Sequence, residues 1–427
     1  MKISVKSSLS VILGACAWLA AMIAPADIAA QDTTNPYSKL GYGLLRDNAT
    51  SAQRQMGGVG YALRSGRQIN VMNPASYAGI DTLTFLFDMG VDVSVNKLSE
   101  GSVSKTSNGG GLDYVTMQFP LGRYMGGSFG LVPFSSVGYA FENEIANGMS
   151  QRQSNRVLHQ VYLGVAGRPF KGFSIGANIN YLFGSITNDV LTTPTGGSTA
   201  LFEQVMEVRD YRLEFGVQYG FEIGTANRLT VGAIYSPSKS IIGHAWVTKY
   251  DSTSDIDSNG DAISDTVVQR MKMQHHFSTP DTWGGGVNYQ WRNALTVEAD
   301  FTYQPWSKAK FAEMDNFAAT RFADRYRVAI GGEYRHRERG SYLERMRFRL
   351  GASYNRDYVM VGNNNVRDYG VSCGFGFPTP IGKTLINLGF EWRHREAYPS
   401  DLIKENRFTI TLGINFNELW FFQNKIN

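Results

Sequence analysis

The chain has 427 residues, 18% of them charged, and Lys plus Arg exceed Asp plus Glu by 41 to 37. With 43% hydrophobic residues and 46 glycines it is too apolar and too weakly charged for intrinsic disorder. No basic run with interleaved aromatics suggests nucleic acid, and beyond the N-terminus no apolar stretch approaches the ~18 residues of a membrane-crossing helix.

Residues 1–30 read as an export signal. Lys2 and Lys6 precede a mostly apolar run over 8–24, and Ile28-Ala29-Ala30 places small residues before Gln31. Leu13-Gly14-Ala15-Cys16 is similar to a lipoprotein processing box, but the residues after Cys16 stay apolar where a polar tether is usual. Only Cys373 remains in the mature chain, so no disulfide within it is expected.

Residues 31–80 do not alternate well. They contain Met56-Gly57-Gly58-Val59-Gly60 and then Asn70-Val71-Met72-Asn73-Pro74-Ala75. This is no dinucleotide fingerprint, because Leu63 stands where the third small residue belongs. Glycine, apolar residues and few charges suit a plug packed inside a barrel; an exposed linker is the blander alternative.

From residue 81 to 427 the chain alternates with period two. Phe408, Ile410, Leu412, Ile414 and Phe416 oppose Thr409, Thr411, Gly413 and Asn415; Ile386 to Arg393 and Met346 to Asn355 repeat the pattern. Successive strand side chains point to opposite faces, so one face of the sheet is greasy and the other wet. A soluble sandwich hides its greasy face on a second sheet; a transmembrane barrel turns it to lipid. The export signal, tryptophans near strand ends (Trp246, Trp283, Trp291, Trp306, Trp392, Trp420) and the alternation of short with long connections favour the barrel. The long connections, 97–110, 143–155, 185–209, 250–265, 305–323, 357–366 and 395–405, are expected outside the cell. About fourteen antiparallel strands are predicted, with both termini in the periplasm and bends at Pro237 and Pro280 in the long seventh and eighth.

The loop between those two strands carries Asp255, Asp257, Asn259, Asp261 and Asp265 around Gly260. Oxygens at alternate positions beside a glycine can converge on a hard cation, so this loop is a candidate calcium site; a solvated acidic loop is the alternative. Lumen charges, among them Glu298, Asp300, Arg327, Arg347 and Arg349, are expected to pair across strands or with the plug. His275 and His276 are strand neighbours facing opposite sides, and no Gly-x-Ser-x-Gly elbow occurs. Neither a catalytic centre nor any other cofactor is expected.

Met56-Gly57-Gly58 leading to Asn73-Pro74-Ala75 just before the first strand, together with the strand count, resembles the FadL/TodX outer-membrane transport family. Thr279-Pro280-Asp281-Thr282-Trp283-Gly284 is similar to that family's entry to its eighth strand, and residues 35–43 look like the branch common in Bacteroidetes. The resemblance implies an N-terminal hatch and a kinked third strand that opens the wall. Pro133, Phe134, Ser135, Ser136 and Gly138 stand at that place, with Asn73 and Pro74 expected against the wall nearby. It also implies residence in the bacterial outer membrane, among lipid and lipopolysaccharide, and passive uptake of hydrophobic small molecules. The alternative is a barrel subunit of an outer-membrane secretion or protein-assembly complex, with protein partners.

Overall fold

An apolar residue at every second position leaves each strand with one side that water rejects, and a ring disposes of all those sides at once. The computed structural model describes residues 35–145, 148–195, 200–251, 265–314, 321–379, 384–400 and 402–419. It closes fourteen antiparallel strands into a barrel. In chain order these are β1 (Thr84–Glu100), β2 (Val103–Pro120), β3 (Met125–Ile145), β4 (Gly148–Phe170), β5 (Phe173–Pro194) and β6 (Ala200–Ile223). Then come β7 (Asn227–Ser236 and Gly243–Asp251), β8 (Asp265–Lys272 and Thr282–Trp291), β9 (Leu295–Gln304) and β10 (Arg325–Tyr334). The ring finishes with β11 (Arg347–Val361), β12 (Asn364–Pro378), β13 (Leu385–Tyr398) and β14 (Lys404–Leu419), and β14 pairs with β1 from Lys404↔Ser99 to Leu419↔Thr84. The breaks in β7 and β8 fall at Pro237 and Pro280, as the sequence places them, because proline has no N–H for a ladder. Among the described residues no helix is long and apolar enough to cross a membrane.

The outward faces are apolar, as in Val91, Val93 and Val95 of β1 and Val328 and Ile330 of β10. Trp283, Trp291 and Trp392 lie exposed on this outer surface. Trp306 does not join them. It follows Pro305 in a 3-10 turn that folds over the mouth on the side of the long hairpins, where it is fully buried.

The expected long outer loops differ too. Much of 97–110, 185–209 and 357–366 is strand: β1 and β2 meet at Gly101-Ser102, β11 and β12 at Gly362-Asn363. Hairpins continue past the lipid because the ladder saturates backbone groups there, while their side chains, no longer selected by hydrocarbon, lose the apolar period that marks a strand.

Candidate functional site

Residues 35–80 lie inside the ring and pack on its inward face. The contact is backbone to backbone because the wall turns glycines inward where the plug passes. A Cβ on Gly331 would stand 2.0 Å from the Met56 carbonyl oxygen, on Gly351 2.1 Å from the Gly57 nitrogen, and on Gly232 1.9 Å from the Tyr61 carbonyl oxygen. Gly126 and Gly176 meet the Tyr77 and Pro74 backbone in the same way, and a Cβ on Gly216 would meet the Asn73 side-chain oxygen at 2.0 Å. These glycines belong to the small, polar side of the alternation, and Gly351 and Gly413 could have been read from the sequence as plug contacts.

Between the glycines the wall holds the plug by charge. Asp300 accepts the Gly60 and Tyr61 N–H groups at 2.6 and 3.1 Å, and Glu298 accepts the Ala62 N–H at 2.8 Å. Arg327 donates to the Gly57 carbonyl at 2.7 Å and pairs with Asp47 of the plug at 3.0 Å; Arg325 reaches the same carboxylate at 3.3 Å. Burial opposes ionisation of Asp47, but Arg327, Arg325 and Arg393 outweigh it and lower its pKa to about 2. Arg46 and Arg54 of the plug share Asp113 of β2, at 3.0 and 2.7 Å. Arg347 and Arg349 pair instead across strands, with Glu333 of β10 at 2.9 and 2.7 Å.

Towards the mouth on the side of the long hairpins the lumen is an apolar core. Inward side chains of the strands, among them Ile186, Met206, Val208, Val247 and Val366, bury against Tyr37, Tyr42 and Leu44 of the plug. Over them Trp306 lies 4.3 Å from the Tyr358 ring and 5.9 Å from that of Tyr42. The Tyr358 hydroxyl accepts the Tyr42 N–H at 2.9 Å and donates to the Gly43 carbonyl at 2.6 Å. A wholly polar lumen is the simplest expectation for a barrel, and it fails here. The signal was present in Tyr358-Val359-Met360-Val361, where consecutive apolar residues mean both faces are buried.

The described wall has a seam between β2 and β3. β2 and β3 pair only from Pro120↔Gly126 to Val115↔Leu131, and beyond Leu131 the two strands part. Pro133 follows at once, and the β3–β4 register shifts between Pro133 and Ser135, leaving Phe134 as a bulge. The plug, not β2, then lies along β3. Leu44 and Leu45 pair with Ser136 and Ser135, the Arg46 N–H donates to the Phe134 carbonyl at 3.0 Å, and the Asn35 N–H donates to the Gly138 carbonyl. Asn73 and Pro74 are elsewhere, against Gly216 and Gly176 of β6 and β5, so their expected place beside Pro133 to Gly138 is corrected. Asn73 caps the turn Pro74–Gly79 by accepting the Ala75 N–H at 3.0 Å, and its amide donates to the Tyr61 carbonyl at 2.6 Å; both bonds fold the plug on itself. Ala75 is fully buried within that turn.

Among the described residues, two cavities between plug and wall measure about 100 and 80 Å³. Arg46, Asp47, Arg327 and Arg393 line the first; Arg212, Glu214, Gln304 and Arg325 line much of the second. Asp255, Asp257, Asn259 and Asp261 fall outside the described residues, while Asp265 opens β8 opposite Tyr250. Among the described residues no three His, Cys, Asp or Glu side chains are grouped to hold a metal.

Comparison with curated proteins returns no match. Among solved structures the chain is similar to a Pseudomonas aeruginosa FadL homologue (12% identity, TM-score 0.63), covering 88% of this chain and 99% of that one. It is similar to the CymD monoaromatic hydrocarbon channel (12% identity, TM-score 0.60), covering 87% of this chain and 97% of that one. The Pseudomonas putida toluene transporter TodX follows (15% identity, TM-score 0.59), with 88% of this chain and 100% of that one covered. At these identities the likeness is one of fold: an outer-membrane barrel of FadL type. The BamG family matches residues 12–427, nearly the whole sequence. The chain therefore belongs to the BamG family, built on the FadL-type barrel.

Proposed function

We propose that this protein is a closed barrel serving as a subunit of an outer-membrane protein-assembly or secretion complex. The observation that carries the reading is the filled lumen. Sites for small organic ligands are mostly apolar and measure about 300–1,000 Å³. The two cavities here measure about 100 and 80 Å³; arginines and carboxylates line much of the first, and the second mixes Arg212, Glu214 and Arg325 with Phe134, Ile234 and Trp306. The apolar part of the lumen, where a greasy solute would rest, is occupied by the protein's own Tyr42, Trp306 and Tyr358. A barrel so packed offers its partners a rigid surface at each end of the wall. A non-catalytic role agrees with its structural neighbours, among them the CymD channel and the toluene transporter TodX.

Extraction of the full chain from outer membranes in mild detergent tests the reading. A defined stoichiometric complex with other outer-membrane proteins is expected; a monomer throughout, after cross-linking in intact cells as well, would overturn it.

The β2–β3 seam favours a second reading, passive uptake of hydrophobic small molecules through the wall. For that, residues 35–46 would have to leave the β3 edge that they now occupy. Uptake of a labelled monoaromatic compound by proteoliposomes, faster with the barrel than without it, would support this second reading over the first.

A further inference from the structure

The inner end of the barrel is strongly basic. The inner turns, the adjoining strand ends and plug residues 64–67 (in all 64–67, 81, 121–125, 168–172, 222–228, 292–294, 333–347 and 418) hold twelve Arg and Lys against six Asp and Glu. That excess exceeds the net +4 of the entire chain. It is also concentrated. Arg64 of the plug lies beside Arg168 of β4 and Arg228 of β7, and burial together with these two neighbours lowers its pKa to about 10. Glu222 lies opposite Arg228 in the β6–β7 ladder, yet none of the three guanidiniums forms an ion pair among the described residues. The Nε atoms of Arg168 and Arg228 are buried without a hydrogen-bond partner. Among the described residues, the Arg64 side chain donates only to the Gly172 carbonyl, at 3.2 Å. Like charges brought together in excess over the neighbouring Glu222 carboxylate raise the energy of the isolated barrel, and an anion relieves that cost.

A cleft of about 290 Å³ opens beside this cluster, bordered by Arg64, Arg67, Arg335 and Arg347 with Asp81, Glu333 and Glu338 between them. Arg64 and Arg67 belong to the plug, so the site faces the mouth of the lumen and not the lipid around the rim. A lipid headgroup held at the membrane surface approaches from the wrong side. A free phosphate is too small to span the Arg64 cluster and the cleft together.

We propose that the inner mouth is a docking surface for an acidic, extended segment of a periplasmic protein, whose carboxylates reach the Arg64–Arg168–Arg228 cluster. The identity of that partner rests on the complex-subunit reading above; the charge recognition itself does not.

The test uses the isolated full-length barrel in phosphatidylcholine nanodiscs, with fluorescein-labelled deca-glutamate as probe and anisotropy as readout. Binding is expected, weakening about tenfold or more between low salt and 0.3 M NaCl as screening sets in. Arg64→Gln/Arg168→Gln/Arg228→Gln is expected to lower affinity by a further order of magnitude. If that triple variant does not fold, Arg337→Gln/Arg339→Gln in the exposed inner turn decides, with affinity lowered about threefold through the longer-range field. Salt-independent binding, or unchanged affinity in the folded variants, would overturn the proposal. So would displacement of the peptide by millimolar inorganic phosphate or by phosphatidylglycerol in the disc, which would assign the site to a free anion or to lipid. Because the isolated barrel is used, the result stands apart from whether a complex is recovered from membranes.

Discussion

The Asp300 carboxylate of the barrel wall accepts the Gly60 N–H of the plug at 2.6 Å. The same oxygen takes the Tyr61 N–H, so two successive amides converge on one anion, as in a backbone nest. Leaving a buried donor unsatisfied costs about 1–3 kcal/mol. Asp300→Ala should therefore loosen the plug, with faster tryptic cleavage at Arg54 and Arg67 from the periplasmic side and Asp300→Asn intermediate. Cleavage as slow as in the unsubstituted barrel would count against this anchoring.

Gly331 faces the plug, whereas the nearest atom to a Cβ on Gly285 is 3.9 Å away. Overpacking costs about 1–3 kcal/mol where the surroundings can yield, and a carbonyl at 2.0 Å leaves little room to do so. Gly331→Val should give little heat-modifiable, folded barrel on electrophoresis, and Gly285→Ala close to the normal amount. Equal yields would show that the plug is not held against the wall there.

Acid should release the plug late. A carboxyl held below its ordinary value of about 4 adds stability that is present above that pH and disappears as the pH falls through the lowered value. Asp47 is lowered to about 2, against burial, by Arg327, Arg325 and Arg393. Protease protection of the plug should persist at pH 4 and decline towards pH 2, and Asp47→Asn should flatten the profile across that window. A decline at pH 4 or above, unchanged in Asp47→Asn, would remove the Asp47 tether as its cause.

The outer seal depends on Trp306 and Tyr358. Trp306→Ala should cost about 3–5 kcal/mol, as large-to-small changes in a packed core do. Tyr358→Phe should cost about 1–3 kcal/mol, since it leaves the Tyr42 N–H and the Gly43 carbonyl unpaired. In planar bilayers the unsubstituted barrel should be silent and Trp306→Ala should show openings. Steady conductance of the unsubstituted barrel would contradict a closed lumen.

Orientation follows from the inner turns. In a Cys373→Ser background, cysteine introduced by Ser102→Cys should react with an impermeant maleimide on intact cells, and cysteine introduced by Arg339→Cys should not. The reverse pattern would invert the assignment of the two ends, and the basic mouth would then face outward.

Much of the barrel was legible because lipid imposes a rule on every second residue: β14 and β13 announce themselves in Phe408 to Phe416 and Ile386 to Trp392. Pro237 and Pro280 were legible for a similar reason, since a missing N–H cannot be hidden in a ladder. The outer hairpins were not, because Ser99, Lys105 and Asn364 sit where hydrocarbon exerts no selection and read as loop. The site was harder still. Asn73-Pro74-Ala75 marks the plug in sequence, yet Asn73 spends its hydrogen bonds on the plug and on β6, and it is Asn35 and Leu44 to Arg46 that lie along the kink. Which stretch of plug meets which stretch of wall depends on how the chain turns inside the ring, and Gly43, with φ of +83°, makes one of those turns. Nothing in residue spacing encodes that path.

The close fit at Gly331, Gly351 and Gly232 also has a temporal side. A plug whose backbone touches the wall on so many strands cannot be threaded into a finished ring, just as a ship is not pushed whole through the neck of a bottle. The pairing of β14 with β1 is the one that shuts the ring. Departure of the plug from a completed barrel requires the wall to come apart or the plug to unfold.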